Sequence, residues 1–202
     1  MKTLLLTGFM PFLENNTNPT EKIVQELNER EIGGYKVIGK VLPVDFSESG
    51  KQLIAIYEQV KPDVVISLGL ASGRHLITPE RIAINCNDGE PDNNGVRLQD
   101  HRIQEDGPAG YFSTLPIRRF VETLKENELP AEISNTAGTY LCNNVMYNLL
   151  HHIDLCGTKV RSGFVHIPAS FELSVINSRL PGWSHRDLIF AIERMIEVLD
   201  VD

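Results

Sequence analysis

The segment Asp63-Val-Val-Ile-Ser-Leu68 decides the fold, because it is short and strongly apolar and therefore predicts a central β-strand. On both sides of it, apolar strands alternate with helices that carry one apolar face. The other predicted strands cover residues 3–7, 36–44, 82–85, 131–134 and 159–166; the predicted helices start at Asn18 or cover residues 47–60, 115–127, 143–155 and 188–199. This alternation implies an α/β fold, a single-domain three-layer sandwich with helices on both faces of a mostly parallel twisted sheet.

Helix starts and one long polar segment refine this prediction. Asn18-Pro-Thr-Glu21 combines an N-cap side chain, a first-turn proline and an early acid, and Ser184-His-Arg-Asp187 is a second capping pattern. Residues 88–110 are rich in glycine, proline, asparagine and aspartate, which predicts a long loop or a hairpin excursion. No linker or internal repeat divides the chain, so we treat residues 1–202 as one domain.

The composition favours a cytoplasmic globular protein. Hydrophobic residues make up 42% of the chain and charged residues 23%, which is ordinary for this class. The formal net charge of −8, with no basic block, argues against a nucleic-acid partner. The 3 cysteines have no CxxC spacing and argue against a disulfide framework. We expect no signal peptide and no membrane span, because no apolar run approaches about 20 residues.

Cys142 is the first candidate catalytic residue, because the segment Gly138-Thr-Tyr-Leu-Cys142 stands where a loop becomes a helix. Backbone N–H groups in a first helical turn are unpaired, and the helix dipole there favours an anion such as a thiolate. A helix terminus contributes only about 0.3–1 kcal/mol, so a nucleophilic thiol also needs a cation, usually a histidine. The alternative is a small buried cysteine, the interpretation we give to Cys86 and Cys156.

His166 is the best partner for that thiol among the 6 histidines. It lies at the end of the predicted strand Ser162-Gly-Phe-Val-His-Ile-Pro168, and strand ends are where sites gather in open α/β sheets. A core histidine bonded to backbone is the alternative. A Cys–His pair usually has a third group that orients the imidazole. Glu80, between a glycine-rich loop and an apolar run, is one candidate, although on pattern alone a solvated loop position is its more ordinary interpretation.

Other catalytic classes lack their motifs in this chain. There is no GxGxxG after the first strand, no GxxxxGK[ST], no GxSxG and no HExxH. Cys86, Cys156 and the scattered histidines show no ligand spacing typical of a metal site. We therefore expect no cofactor and no metal.

Short motifs along nearly the whole chain then point to one family. In chain order they are Gly8-Phe-Met-Pro-Phe12, Asn18-Pro-Thr20, Leu42-Pro-Val44, Gly69-Leu-Ala-Ser-Gly-Arg74, Glu80-Arg-Ile-Ala-Ile-Asn85, Pro91-Asp-Asn93, Tyr111-Phe-Ser-Thr-Leu-Pro116, the Cys142 segment and Gly163-Phe-Val-His166. Together, and in this order, they resemble the pyroglutamyl peptidase I family, the pyrrolidone-carboxylate peptidases, which are cysteine peptidases.

The resemblance implies a Cys-His-Glu triad of Glu80, Cys142 and His166 in a single catalytic domain. Such a triad would remove an N-terminal pyroglutamyl residue from peptides through an acyl-enzyme intermediate. The resemblance also implies a homo-oligomer, a dimer or a tetramer, and substrate-binding residues around the lactam ring. These residues are Phe9, Phe12, Asn18, Leu70 and Tyr140. For the aromatic residues the alternative is an ordinary place in the core.

Two segments depart from the family pattern. Leu13-Glu-Asn-Asn16 stands where glycines usually follow Phe12, and Asn87-Asp-Gly-Glu90 lacks an arginine that the family often carries near its active site. We expect Glu90 to point into solvent, because a carboxylate beside a developing negative charge would raise the barrier. Two alternatives stay open: a nucleosidase or phosphorylase-like enzyme on a similar fold, and an inactive binding homologue.

Overall fold

Strands and helices alternate along the part of the chain that the computed structural model describes, residues 1–12 and 16–201. The strands are β1 (Lys2–Phe9), β2 (Glu31–Ile32), β3 (Tyr35–Leu42), β4 (Val64–Leu70), β5 (Thr78–Pro79), β6 (Ile82–Ile84), β7 (Gly110–Phe112), β8 (Arg161–Ile167), β9 (Ala169–Ser170) and β10 (Gly182–Trp183). The helices are α1 (Pro19–Leu27), α2 (Ser49–Val60), α3 (Ile117–Glu126), α4 (Leu141–Cys156), α5 (Phe171–Ile176) and α6 (His185–Glu197).

The main sheet has the order β2-β3-β1-β4-β8-β5, which confirms the mostly parallel arrangement. β1 pairs in parallel with both β3 and β4, and β4 pairs in parallel with β8. Only the short outer strands β2 and β5 run antiparallel to their neighbours. Every residue of β4 is buried, as expected for the central strand of a sheet that is covered on both faces.

Helices cover both faces of this sheet, which confirms the three-layer prediction. Because side chains alternate along a strand, Leu4 and Leu6 of β1 pack into one core and Leu5 packs into another. The first core is closed by α1, α3 and α6, and the second by α2 and α4. Both predicted caps form, since the Asn18 side chain accepts a hydrogen bond from the Thr20 N–H and Ser184 accepts one from the Asp187 N–H. In the described ranges, no helix has the length and apolar character needed to cross a membrane.

The predicted strand at residues 131–134 is wrong, although its backbone is paired. Two isolated parallel bridges, Ile77↔Ala131 and Glu80↔Ser134, take its place. The ladder is interrupted because the neighbouring strand β5 is short and ends at Pro79, which has no N–H to donate. The sequence analysis also missed α5, β9 and β10, which follow the strand that carries His166.

The polar segment at residues 88–110 is the predicted hairpin excursion. It leaves from β6 and returns as β7, and these two strands pair antiparallel. Within it, the Asn85 side chain accepts hydrogen bonds from the N–H groups of Ile103 and Gln104 at 2.8 and 2.9 Å. The buried Asp92 carboxylate accepts from the Phe46 N–H at 3.0 Å. The excursion is therefore anchored to the rest of the fold by side chain–backbone bonds.

Candidate active site

The carboxyl ends of β4 and β8 place the candidate histidine. His166 on β8 is in register with Gly69 on β4 and with Thr78 on β5. It is buried, with 6% of its surface exposed. Ligand and catalytic sites in open α/β sheets lie beyond the carboxyl ends of the strands, so the fold brings His166 to the expected edge.

Glu80 lies directly behind His166. It follows β5, is fully buried, and is held by a hydrogen bond from its N–H to the Phe164 carbonyl at 2.8 Å. Its Oε1 lies 2.7 Å from His166 Nδ1. The carboxylate at Nδ1 orients the ring and leaves Nε2 to interact with another group. This is the geometry of the acid that orients the histidine in a catalytic triad. The solvated-loop interpretation of Glu80 is wrong.

Arg74, which the sequence analysis missed as a site residue, shares that carboxylate. Its Nη1 lies 2.7 Å from Glu80 Oε1 and 2.5 Å from Thr78 Oγ1. The other carboxylate oxygen, Oε2, is buried and has no hydrogen-bond partner among the described residues. An ionised carboxylate with one unsolvated oxygen is costly to bury, and the guanidinium supplies the compensating charge. The sequence feature that could have identified Arg74 as a site residue is its position in the loop between a buried strand and Glu80.

Cys142 is the second residue of α4, which starts two residues before the predicted helix, and it is partly exposed. The N-cap residue of this helix, Tyr140, makes no side-chain cap hydrogen bond. The first turn is fixed instead by the buried Asn143, whose side chain accepts from the Ile84 N–H and donates to the Ile84 and Cys86 carbonyls at 2.8–2.9 Å. The helix start is thereby tied to β6 while its own first N–H groups stay uncapped by a side chain.

The histidine and the thiol are electrostatically coupled. Burial alone would lower the pKa of His166, but the charge and hydrogen bond of Cys142, followed by those of Glu80, raise that pKa to about 9. The cationic form of the imidazole is therefore favoured by the Cys142 sulfur on one side and the Glu80 carboxylate on the other. This is the charge arrangement of a Cys–His nucleophile pair.

Gly69 makes room for the sulfur. A Cβ at this position would lie 2.8 Å from Cys142 Sγ and 2.6–2.7 Å from two atoms of the Phe164 ring. Real Cβ atoms do not approach other heavy atoms this closely, so the close contact between β4 and the start of α4 requires glycine here.

A small pocket opens beside Cys142. The five residues that the resemblance named for substrate binding all contribute to its wall, together with Val44 and Leu141, which the analysis did not name. The shared wall residues are Phe9, Phe12, Asn18, Leu70 and Tyr140. The core interpretation of the aromatic residues is also partly right, since Phe9 is buried. The pocket is mostly apolar and contains one side-chain amide.

The amide of Asn18 is held in a fixed orientation. Its Oδ1 accepts from the N–H and the hydroxyl of Thr20 at 3.1 and 2.9 Å, and its Nδ2 donates to the Met10 carbonyl at 3.1 Å. Opposite it, the Tyr140 hydroxyl donates to the Pro91 carbonyl at 3.0 Å, and its ring packs edge-on against Phe46. Burial, followed by the charge of Asp92, raises the pKa of Tyr140 to about 12, so the phenol stays neutral.

The two departures from the family pattern have different outcomes. Glu90 is exposed, as expected. Residues 13–15 of the Leu13–Asn16 segment lie outside the described residues.

A second group of similar composition lies elsewhere on the surface. His152 Nε2 is 2.6 Å from Glu58 Oε1 and 3.7 Å from Cys156 Sγ. The carboxylate and the thiol therefore both contact the same ring nitrogen. A catalytic triad needs the carboxylate on one ring nitrogen and the thiol on the other. Cys156 also ends α4, at the negative pole of the helix, which disfavours a thiolate. We therefore do not regard this group as a catalytic triad.

Comparisons with known proteins agree along the whole chain. A family model described as pyroglutamyl peptidase matches residues 1–200. A pyrrolidone-carboxylate peptidase of Oceanobacillus iheyensis is 54% identical over 200 residues, which cover 99% of this chain and 100% of the relative. One from Halalkalibacterium halodurans is 52% identical, over 97% of this chain and 98% of its own length. The solved structure of pyrrolidone carboxyl peptidase from Thermococcus litoralis has a TM-score of 0.94 at 40% identity, covering 98% of this chain and 93% of that one.

Proposed function

This chain belongs to the pyroglutamyl peptidase family, and on that premise we propose that it removes N-terminal pyroglutamyl residues from peptides with a triad of Cys142, His166 and Glu80. The single observation that carries the assignment is the 2.7 Å contact between Glu80 Oε1 and the Nδ1 of His166, a histidine that also interacts with Cys142. It gives each member of the set a distinct role: nucleophile, acid–base and orienting carboxylate.

In the first step, the Cys142 thiolate attacks the acyl carbonyl carbon, which joins the pyroglutamyl residue to the rest of the peptide, and a C–S bond forms. The negative charge moves to the carbonyl oxygen of a tetrahedral intermediate. As the C–N bond breaks, the His166 imidazolium donates its Nε2 proton to the departing amine. A thioester remains on the enzyme, and the shortened peptide leaves.

In the second step, neutral His166 removes a proton from a water molecule, which attacks the thioester. A second tetrahedral intermediate collapses, the C–S bond breaks, and free pyroglutamate is released with the thiolate restored. Glu80 keeps the ring oriented and stabilises the imidazolium throughout. Arg74 prevents Glu80 from becoming an isolated buried anion, so we assign it a positioning role.

The first turn of α4 is the proposed oxyanion-binding group. Its backbone N–H groups lack a side-chain cap and lie at the positive pole of the helix. One such preorganised donor is worth about 3–4 kcal/mol in related acyl-transfer enzymes. Because the segment Asn87-Asp-Gly-Glu90 lacks the arginine that the family often carries there, these backbone donors carry most of that stabilisation in our proposal.

Specificity follows from a small apolar pocket that contains a fixed amide. The aromatic walls accept a flat, uncharged five-membered ring, and Asn18 has one amide hydrogen without a partner among the described residues. A substrate that hydrogen-bonds such a group is favoured over an analogue that leaves it unpaired, by up to about 10⁴-fold. Proline has the ring without the lactam carbonyl and is therefore the competitor to reject.

The two alternatives are not favoured. The nucleosidase or phosphorylase interpretation rested on fold likeness alone, and the family match over residues 1–200 is to a peptidase. An inactive binding homologue has no need for a histidine held between a thiol and a buried carboxylate. A cytoplasmic location and a homo-oligomeric state remain part of the proposal; size-exclusion chromatography with light scattering tests the second.

The test is a small panel of 7-amido-coumarin substrates that carry pyroglutamyl, prolyl, glutamyl or glutaminyl groups. We expect turnover of the pyroglutamyl compound alone, and none by Cys142→Ser. The matched control is Cys156→Ser, which removes another partly accessible thiol and should leave kcat/KM unchanged. Equal turnover of the prolyl compound would refute the specificity, and loss of activity in Cys156→Ser alone would refute the choice of nucleophile.

A further inference from the structure

A mixed group of oxygen, nitrogen and sulfur donors lies at the far end of α4 from Cys142. We propose that Glu58, His152 and Cys156 form a binding site for Zn²⁺ or a cation of the same borderline class. The site is independent of the proposed catalysis, because it lies about 20 Å from Cys142 along the helix, at a rise of about 1.5 Å per residue.

The donor atoms are already gathered. Glu58 Oε1, His152 Nε2 and Cys156 Sγ all lie within 4.8 Å of one another. A tetrahedral zinc ion with Zn–N near 2.0 Å and Zn–S near 2.3 Å holds its nitrogen and sulfur ligands about 3.5 Å apart. The observed separation of Nε2 and Sγ is 3.7 Å. The carboxylate oxygen, now 2.6 Å from Nε2, must move away from that nitrogen by roughly 0.7 Å to reach a coordinating distance.

Two of the three donors are held rigidly on one helix, and the third donor, on a neighbouring helix, can adjust its position. His152 and Cys156 are four residues apart on α4 and therefore share one face. Glu58 comes from the last turn of α2, which packs against α4. Glu58 is exposed and has more rotatable side-chain bonds than the histidine or the cysteine, so the ligand that must move is the one best able to do so.

The chemistry of the donor set selects the cation. Thiolate and imidazole favour zinc and its neighbours, whereas magnesium and calcium require oxygen ligands. Binding would release the thiol proton, and it would release a second proton from an imidazole that starts as its cation. Three protein ligands leave a fourth position for water. The ion would join the end of α2 to the end of α4.

An ordinary surface ion pair does not account for the thiol. The pair of His185 and Glu26 is an ordinary surface pair that serves as a comparison. Its Nε2 lies 2.8 Å from Oε2 at an exposed site, and no cysteine takes part in the contact. Cys156 is exposed and has no packing role in either core. Its sulfur is nevertheless placed on the same nitrogen as the carboxylate, which is what coordination of one ion requires.

The test uses the full chain with Cys142→Ser, so that the catalytic thiol cannot bind the probe. Zn²⁺ titrated by calorimetry should bind one ion per chain with a micromolar or lower Kd and should raise Tm. Adding His152→Ala or Cys156→Ser should weaken binding at least tenfold and abolish the Tm shift. Adding His185→Ala or Cys86→Ser, the matched controls, should change Kd by less than twofold.

Co²⁺ gives an independent readout that needs no further variant. A cobalt–thiolate charge-transfer band in the near ultraviolet should appear with the tetrahedral visible bands in the Cys142→Ser chain. No binding up to 1 mM Zn²⁺, roughly 10³ times weaker than expected, would overturn the site. The site would also be overturned if the His152→Ala or Cys156→Ser chain bound Zn²⁺ with unchanged affinity, or if the cobalt bands were lost only in the Cys86→Ser chain.

Discussion

Replacing Gly69 with alanine should impair catalysis while the fold remains. The new Cβ would lie 2.8 Å from Cys142 Sγ and 2.6–2.7 Å from the Phe164 ring. Non-bonded heavy atoms prefer about 3.5–4.0 Å, so one side must retreat by about 1 Å. The Phe164 ring is fully buried and packs against Phe9 and His166 at centroid distances of 6.4 and 5.0 Å. Movement of the ring would therefore displace the histidine, and movement of the sulfur would displace the nucleophile.

A misplacement of about 1 Å costs roughly 10²-fold in rate, equivalent to about 2.7 kcal/mol of transition-state stabilisation. The overpacked contact should also lower the free energy of unfolding by about 1–3 kcal/mol. The assay is kcat/KM on a pyroglutamyl-7-amido-coumarin substrate, combined with thermal unfolding and the rate of iodoacetamide labelling at Cys142.

Gly73→Ala is the matched control for this variant. A Cβ at Gly73 would meet nothing within 4 Å, so kcat/KM should stay within twofold of the wild type. If folded Gly69→Ala kept a kcat/KM within threefold of the wild type, the proposed contact with the nucleophile would be refuted. Equal losses in both variants would indicate a general effect of the loop instead.

Four further predictions concern the charges around the site. The pKa of His166 is raised from 6.5 to about 9, so its stabilising contribution is complete below about pH 6.5 and is lost as pH rises through 9; kcat/KM and the free energy of unfolding should fall together above that pH. Arg74→Met should lower kcat/KM by about 10–100-fold and move the upper limb of the pH profile, while Arg74→Lys restores part of both; an unmoved profile would contradict the positioning role. Glu80→Gln should keep measurable turnover where Cys142→Ser keeps none, in a single-turnover assay. Glu90→Gln should change kcat/KM by less than about threefold, under about 0.7 kcal/mol, because its side chain is exposed; a tenfold gain would place that carboxylate at the site.

The layers of the fold could be predicted because they depend on local pattern. The strongly apolar run at residues 64–68 is typical of a buried strand or a fragment of a buried helix, and its flanking turns decide between them. The same kind of reasoning failed at residues 131–134, where a continuous ladder depended on Pro79 and only isolated bridges form. The partner of a strand, unlike its extended backbone, is set by residues far away in the chain.

The residues of the candidate site also differ in whether the sequence alone could predict their roles. The position of Cys142 at a helix start could be derived from the apolar period that follows it, and the family resemblance supplied Glu80. The role of Arg74 could not be derived, because it depends on which carboxylate oxygen it shares with His166. Nor could the group around His152, since Glu58 lies 94 residues away in sequence and no pattern links the two.

The uncapped start of α4 has a consequence for attempts to stabilise this protein. Serine or aspartate at an N-cap position typically adds about 1 kcal/mol, so a search for stabilising substitutions would choose one of them at Tyr140. The new oxygen would take up the backbone donors that we propose bind the developing oxyanion, and an aspartate would add repulsion. Selection for turnover therefore holds this helix below the stability that its own sequence could reach, and Asn143, bonded sideways to β6, keeps the unprotected turn in place.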